Sequence, residues 1–103
     1  MMQFTVYRNP NKRTRRSIPY LVDLQADMLS GLHSRVVAPL VLASKMQPAQ
    51  HLNPSFEVEG KSVVMSTAEL AGIPLDALGE EVTTLKDVRA EIIAALDFLF
   101  TGV

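Results

Sequence analysis

The chain has 103 residues, a net charge of −1 and 48% hydrophobic residues, which is typical of one globular domain rather than of a disordered segment. It contains no cysteine, which excludes a disulfide framework, a thiolate zinc site and a cysteine nucleophile, and fits a reducing cytoplasm. No apolar run approaches the ~20 residues that span a bilayer, and the N-terminal residues lack a secretory signal. We therefore expect a single cytoplasmic domain over residues 1–103.

Alternating apolar and polar residues predict short β-strands along most of the chain. The predicted strands cover residues 3–7, 19–25, 35–38, 55–59, 62–66 and 73–78. The first two are expected to pair as a hairpin, and the fourth and fifth to pair around a turn at Gly60. We expect Pro39 to end the third strand, and Pro74 to mark the start of the sixth strand or an edge of the sheet.

The segments between these strands have the residues of loops and turns. Loops or turns are predicted over residues 8–17, 26–31 and 47–54, and a helical turn over residues 67–71 closed by Gly72. The segment 40–46 is apolar and fits either a strand or irregular structure. The turn 26–31 carries two apolar residues, Met28 and Leu29.

A helix is predicted over residues 85–100. Thr84 is a suitable N-cap with Asp87 in the capping-box position, and Gly102 stands where a C-terminal cap would. One apolar stripe follows at helical spacing, formed by Leu85, Val88, Ile92, Leu96 and Leu99. A small barrel over residues 3–79, or two packed sheets, with a C-terminal α-helix is therefore the expected fold.

The charged residues are unevenly distributed. Residues 1–56 carry seven basic and two acidic side chains, and residues 57–103 carry three basic and nine acidic ones. Five bases form what we call the basic loop: Arg8, Lys12, Arg13, Arg15 and Arg16. The pI of about 6.1 is too low for a dedicated nucleic-acid-binding domain. The basic loop is either a solvated hairpin tip or a docking site for an acidic partner or for phosphates.

No catalytic constellation is visible in the residue types. His33 and His51 both lie in predicted loops, and the spacing of His and carboxylates matches no zinc site. The chain has neither a phosphate-binding P-loop nor a dinucleotide-binding glycine motif. We therefore expect a protein that is not an enzyme and uses no metal or other cofactor.

The C-terminus is apolar to its last residue. Phe98 and Phe100 cannot both join the stripe, because positions two apart on a helix point about 200° apart. One of them is expected to be exposed or to cover another surface. Two explanations fit an apolar C-terminus: its side chains pack in the core, or they form a tip that binds a partner.

Five segments along the chain occur in an order shared with a known family. They are MQFTVY (2–7), VDLQADML (22–29), RVVAPL (35–40), IPL (73–75) and the closing FTGV (100–103). Together they resemble the CcdB toxins of bacterial toxin–antitoxin modules over the whole chain. The resemblance implies an SH3-like small barrel with a C-terminal helix, and a homodimer.

The resemblance also implies a function and partners. Such a toxin binds the A subunit of DNA gyrase and traps the gyrase–cleaved DNA complex. A CcdA-type antitoxin neutralises it, and the toxin meets DNA only indirectly, through the antitoxin complex that regulates its own transcription.

Carried over by position, the resemblance implies gyrase contacts at Met28, Leu29, Asp97, Phe100, Thr101, Gly102 and Val103. The sequence departs from the best-known member at Thr101, where that toxin has Trp, and at Asp97, where it has Asn. We expect the basic loop to bind an acidic, disordered antitoxin tail.

Two other functions remain open. A ribonuclease toxin of the same fold class would use His33 or His51 with Arg35 or Asp27 to cleave messenger RNA. A non-toxic, decayed homologue would have neither activity.

Overall fold

The computed structural model of the protein describes residues 2–29 and 31–102. Within these residues the chain forms seven strands and one α-helix, joined by short 3-10 turns and loops. These elements are β1 (Thr5–Arg8), β2 (Tyr20–Asp23), β3 (Ser34–Leu42), β4 (Ser55–Val58), β5 (Lys61–Met65), β6 (Ala71–Pro74), β7 (Glu81–Thr84) and α1 (Arg89–Thr101).

The seven strands form one antiparallel sheet, in which the order β4-β5-β3-β2-β1-β7 is extended by β6 on β3. The nine-residue β3 is the longest strand, and its outer edge is shared by two neighbours. Val37 pairs with Ala71 of β6, and Leu40 pairs with Met65 of β5. The sheet curls into a half-barrel followed by one C-terminal helix. This confirms the predicted class, a mostly β fold of the SH3-like small-barrel type with a C-terminal α-helix.

Both predicted hairpins are present. In the first, Val6 of β1 lies opposite Val22 of β2. In the second, Val58 of β4 lies opposite Lys61 of β5, and the two residues between them have left-handed backbone angles. Positive φ at both central positions is the geometry of a two-residue type I′ turn, which suits the twist of the strands it joins.

The prediction that Pro39 ends the third strand is wrong, because β3 continues through Pro39 to Leu42. The Pro39 carbonyl accepts the Ser66 N–H at 2.9 Å, so the backbone polar groups of Pro39 point to the edge of β3 away from β2. On that edge, the pairing with β6 ends at Val37 and the pairing with β5 begins at Leu40. The missing N–H of Pro39 therefore removes no hydrogen bond to β2.

The last third of the sheet departs from the predicted pattern. The strand predicted over residues 73–78 is β6, which ends at Pro74 and is followed by a 3-10 turn over Leu75–Ala77. Gly72 lies within β6 and does not close the turn at Thr67–Glu69. A further strand, β7, was not predicted.

The core lies between one face of the sheet and α1. The side chains that face it alternate along the strands, as a period of two requires. They include Phe4, Val6, Tyr20, Val22, Leu24, Ala38, Leu40, Phe56, Val58, Val63 and Met65. Ile92 and Ala95 of α1 are buried against them. Fully burying a side chain such as Ile92 stabilises the fold by roughly 1.5–3 kcal/mol.

The helix begins later than its apolar stripe predicts. A 3-10 turn covers Lys86–Val88 and α1 starts at Arg89, where the N-cap Val88 provides no side-chain bond. The expected capping box is therefore absent, and Thr84 Oγ1 instead accepts the Lys86 N–H at 3.2 Å. Gly102 is the predicted C-terminal cap, with φ of 76°. No helix in residues 2–29 and 31–102 is long and apolar enough to cross a membrane.

Candidate functional site

The end of α1, residues 97–102, projects an aromatic side chain into solvent, and we call it the helix tip. Phe100 is 69% exposed. Two bonds hold the backbone beneath it: the Gly102 N–H donates to the Phe98 carbonyl at 2.9 Å, and Thr101 Oγ1 donates to the Asp97 carbonyl at 2.7 Å. The tip is thus an ordered helical end with an exposed aromatic group. Val103 lies outside the described residues.

Phe98 faces a different surface from Phe100. Its ring lies 5.9 Å from the ring of His51, at an interplanar angle of 53°. The two side chains line a cavity of about 720 Å³ between α1 and the loop before β4, together with Glu91 and Ala94. The prediction that one of the two phenylalanines is exposed or covers another surface is therefore confirmed, since Phe100 is exposed and Phe98 packs on His51.

The second group of predicted contacts lies on a 3-10 turn, Asp27–Leu29, between β2 and β3. Met28 is 90% exposed, and Leu29 is half-buried. The turn is attached to the N-terminal segment, because the Gln3 N–H donates to Asp27 Oδ1 at 2.6 Å. No hydrogen bond or ion pair among the described residues joins this turn to the helix tip.

A buried polar network lies beneath the turn. Arg35 donates from Nε and Nη2 to Asp23 Oδ2 at 3.0 and 2.6 Å, and neither side chain has any exposed surface. Arg35 Nη2 also donates to the Gln25 carbonyl at 3.2 Å. The Gln25 N–H donates to Asp23 Oδ1 at 3.0 Å, and Gln25 Nε2 donates to the Leu29 carbonyl at 2.9 Å. Arg35 Nη1 is buried without a partner in the described part of the chain.

Four of the five basic side chains of the basic loop are exposed: Lys12, Arg13, Arg15 and Arg16. The loop is ordered by the buried amide of Asn9, which donates to Thr14 Oγ1 at 2.9 Å and to the Ile18 carbonyl at 2.8 Å. None of the four forms an ion pair within residues 2–29 and 31–102. They therefore present unneutralised positive charge.

Arg8 differs from these four because its guanidinium is already bound. It donates to both oxygens of Glu59, at 3.0 and 2.9 Å, and to Glu80 at 2.7 Å. Gly79 packs onto the same residue, since a Cβ there would lie 2.6 Å from the Arg8 carbonyl oxygen. Arg8 therefore joins β1 to the β4–β5 turn and to the segment before β7.

The carboxylate of Glu59 is the centre of this cluster. It accepts the hydroxyl of Tyr20 at 2.5 Å as well as the two bonds from Arg8. The bonds from Arg8, and then that from Tyr20, lower the pKa of Glu59 to about 2. Burial, and then the bond to Glu59, raises the pKa of Tyr20 to about 12. The cluster thus favours an ionised Glu59 and a neutral Tyr20 across the ordinary pH range.

A comparison with known protein families decides the kind of protein. The family model described as CcdB protein matches residues 3–102. The chain belongs to the CcdB family. Membership of this family supports the assignment of the protein as the toxin of a CcdA/CcdB module. The matched range includes the helix tip, the 27–29 turn and the basic loop.

In this CcdB-family protein, the residues predicted from the sequence fall into three separate places. The helix tip carries Asp97, Phe100, Thr101 and Gly102, the 27–29 turn carries Met28 and Leu29, and the basic loop carries the five bases. Sequence reasoning missed the Asp23–Arg35–Gln25 network. The only available signal was that each charged residue adjoins an apolar strand segment: Asp23 directly follows Val22, and Arg35 directly precedes Val36.

The groups that a ribonuclease would use are not assembled into one cluster. The Arg35 guanidinium is fully buried against Asp23, and Asp27 Oδ1 accepts a backbone N–H. His51 packs on Phe98, and His33 is exposed just before β3. Within the described ranges, no group of three or more His, Cys, Asp or Glu side chains could hold a metal ion.

Replacing Glu59 with glutamine is expected to lower stability at pH 7 and to lose that effect in acid. A pKa of about 2, below the ordinary 4.5, means that the folded protein binds this proton less tightly than the unfolded chain does. The stabilisation is therefore present above pH 4.5 and is lost as the pH falls through about 2. Urea unfolding midpoints of the parent and of Glu59→Gln should converge over that range. The matched control is Glu57→Gln, an exposed carboxylate on the adjoining strand β4; equal effects of the two substitutions at pH 7 would contradict the prediction.

Proposed function

We propose that this protein binds the A subunit of DNA gyrase and traps the gyrase–cleaved DNA complex, blocking replication and transcription. The exposed aromatic side chain at the end of α1 is the observation that carries the proposal. Phe100 is 69% exposed on a backbone that the Gly102 cap holds in place. A large exposed apolar group on an ordered support suits a protein-binding anchor.

The aromatic contact of the tip falls on Phe100. Thr101 stands where the best-known member of the family has Trp, and a threonine cannot stack on a cation of the target. Phe98 is engaged with His51. Phe100 is therefore the aromatic side chain of the tip that remains free to enter a cleft of the target.

A homodimer would present two tips to a two-fold symmetric target. The protomer carries exposed apolar side chains outside the proposed gyrase contacts that an interface could bury, including Met2, Leu32 and Leu75. Light scattering at micromolar concentration should then give a mass near twice 11.3 kDa. A monomer at that concentration would contradict the symmetry argument.

We further propose that the basic loop binds the acidic segment of a CcdA-type antitoxin. Lys12, Arg13, Arg15 and Arg16 are exposed and ordered, so they can attract a disordered acidic chain. Arg8 belongs to the predicted set, but it is already held by Glu59 and Glu80. DNA contact then comes only indirectly, through the antitoxin complex, in keeping with a pI of about 6.1.

Reversing three charges, with Arg13→Glu, Arg15→Glu and Arg16→Glu, is expected to weaken antitoxin binding by roughly tenfold or more at low salt. The remaining affinity should depend less on salt, because screened attraction has been removed. Gyrase inhibition should persist. The matched control, Lys45→Glu with Lys86→Glu and Arg89→Glu, changes the net charge equally and should leave antitoxin affinity within about threefold of the parent. Loss of gyrase inhibition with intact antitoxin binding would reverse the assignment of the loop.

Purified gyrase with supercoiled DNA tests the proposed function directly. We expect inhibition of supercoiling and accumulation of cleaved DNA, both suppressed by the cognate antitoxin. RNA incubated with the protein in the absence of gyrase provides the second arm. RNA cleavage there, with gyrase unaffected, would support the ribonuclease toxin instead, and inactivity in both arms would indicate a decayed homologue.

A further inference from the structure

The turn that carries Met28 and Leu29 has little packing of its own. It is one 3-10 turn of three residues, none of them buried. Within it, the Leu29 N–H donates to the Ala26 carbonyl at 3.0 Å. A turn this short is not stable in isolation, so contacts with the rest of the molecule must order it.

Gln25 supplies such contacts with every polar group that it has. Its side-chain Nε2 donates to the Leu29 carbonyl at 2.9 Å, and its Oε1 accepts the Val36 N–H at 3.1 Å. Its backbone N–H and carbonyl bind the Asp23 and Arg35 side chains. Gln25 is only 7% exposed. One side chain thus ties the far end of the turn to β3, beside a buried ion pair.

We propose that Gln25 is a positioning residue for the gyrase contact, holding the Leu29 carbonyl so that Met28 and Leu29 are presented in one conformation. This inference rests on the proposed function. Without the bond from Nε2, the turn would sample other conformations in the free protein. Binding would then have to order it, which costs affinity.

Two substitutions distinguish the contributions of the two side-chain hydrogen bonds of Gln25. Gln25→Met has similar length and loses both side-chain bonds. Gln25→Glu keeps an acceptor for the Val36 N–H but cannot donate to the Leu29 carbonyl. If the bond to Leu29 positions the turn, both variants should bind the gyrase A subunit roughly tenfold more weakly than the parent, since about 1.4 kcal/mol of ordering corresponds to that factor.

Asn9 provides a matched control on the other surface. It too is a nearly buried carboxamide that holds an exposed loop, through bonds to Thr14 and Ile18. Asn9→Leu should weaken antitoxin binding and spare gyrase binding. The two Gln25 variants should show the opposite pattern. A general loss of stability would reduce both affinities together.

Amide hydrogen exchange gives a readout that needs no partner. In the Gln25 variants, the Leu29 and Leu32 amides, which donate within and just after the turn, should exchange at least tenfold faster. The core amide of Val22 reports opening of the whole domain and serves as the internal reference in each variant. Affinities are measured at a temperature where each variant remains folded; if Gln25→Glu unfolds because its carboxylate is buried, the neutral Gln25→Met carries the test.

The outcomes distinguish this inference from the function beneath it. Weaker gyrase binding, faster exchange in the turn and intact antitoxin binding would support it. Parent-like gyrase binding in either Gln25 variant, shown to be folded, would overturn it and leave the proposed function standing. Failure of the parent itself to bind the gyrase A subunit would overturn both.

Discussion

Replacing Arg35 with methionine is expected to lower the free energy of unfolding by about 3–5 kcal/mol. The substitution leaves the Asp23 carboxylate without its cation, and both side chains are fully buried. An uncompensated buried charge is among the most destabilising changes that a fold can suffer. Because small domains are stable by only about 5–15 kcal/mol, this variant should unfold at much lower urea concentration than the parent.

A second variant shows whether the effect comes from the unpaired charge. Asp23→Asn with Arg35→Met removes both charges but keeps an oxygen that can accept the Gln25 N–H. It should be more stable than Arg35→Met alone, since a well-packed neutral pair often replaces an ion pair at little cost. Urea midpoints at pH 7 and one fixed protein concentration provide the measurement. An exposed control, Arg16→Met, should stay within about 0.5 kcal/mol of the parent. A double variant no more stable than Arg35→Met alone would contradict this account.

Elements with strong periodicity were predicted correctly from the sequence. The pairing of β1 with β2 follows from the alternation that places Val6 and Val22 in the core. The β4–β5 hairpin follows from its alternation and from Gly60, which favours the left-handed turn conformation. The stripe of α1 faces the core at Ile92, as its spacing predicts.

The incorrect predictions concern residues whose conformation or contacts depend on segments distant in the sequence. Pro39 is tolerated inside β3 only because two different strands share that edge, which no local pattern records. Strand β7 has four residues, none fully buried, and owes its conformation to pairing with β1. Residue type alone also grouped Arg8 with Arg15, although Arg8 is bound by two carboxylates and Arg15 is exposed.

The candidate site shows the same division. The apolar end of α1 became a candidate site because the chain is apolar to its last residue. Met28 and Leu29 were placed in a predicted turn, but their assignment to the site came from the resemblance to the CcdB family. The network beneath the turn escaped notice because a buried arginine and a surface arginine look alike in a sequence. Whether Arg35 reaches Asp23 depends on the register of β2 against β3, where Asp23 pairs with Val37.

Deleting Thr101, Gly102 and Val103 is expected to weaken gyrase binding by about 100-fold, which corresponds to losing one or two interface hot spots. The deletion also removes the Gly102 cap that holds the backbone beneath Phe100. The fold should survive, because the last residue of the apolar stripe, Leu99, is retained and the described part of the deleted segment is exposed. Loss of the cap should lower stability by about 1 kcal/mol.

A pair of single substitutions on α1 separates the aromatic contact from the loss of the cap. Phe100→Ala removes an exposed ring, and Ile93→Ala removes an exposed apolar side chain elsewhere on the same helix. We expect gyrase affinity to fall by roughly 30-fold for the first and by less than about threefold for the second, with thermal unfolding almost unchanged in both. A folded truncated protein that still poisons gyrase would eliminate the helix tip as the contact and leave Met28 and Leu29 as the candidates. A truncated protein that fails to fold would instead show that the segment after Leu99 stabilises the core, and Phe100→Ala alone would then decide whether the aromatic side chain binds gyrase.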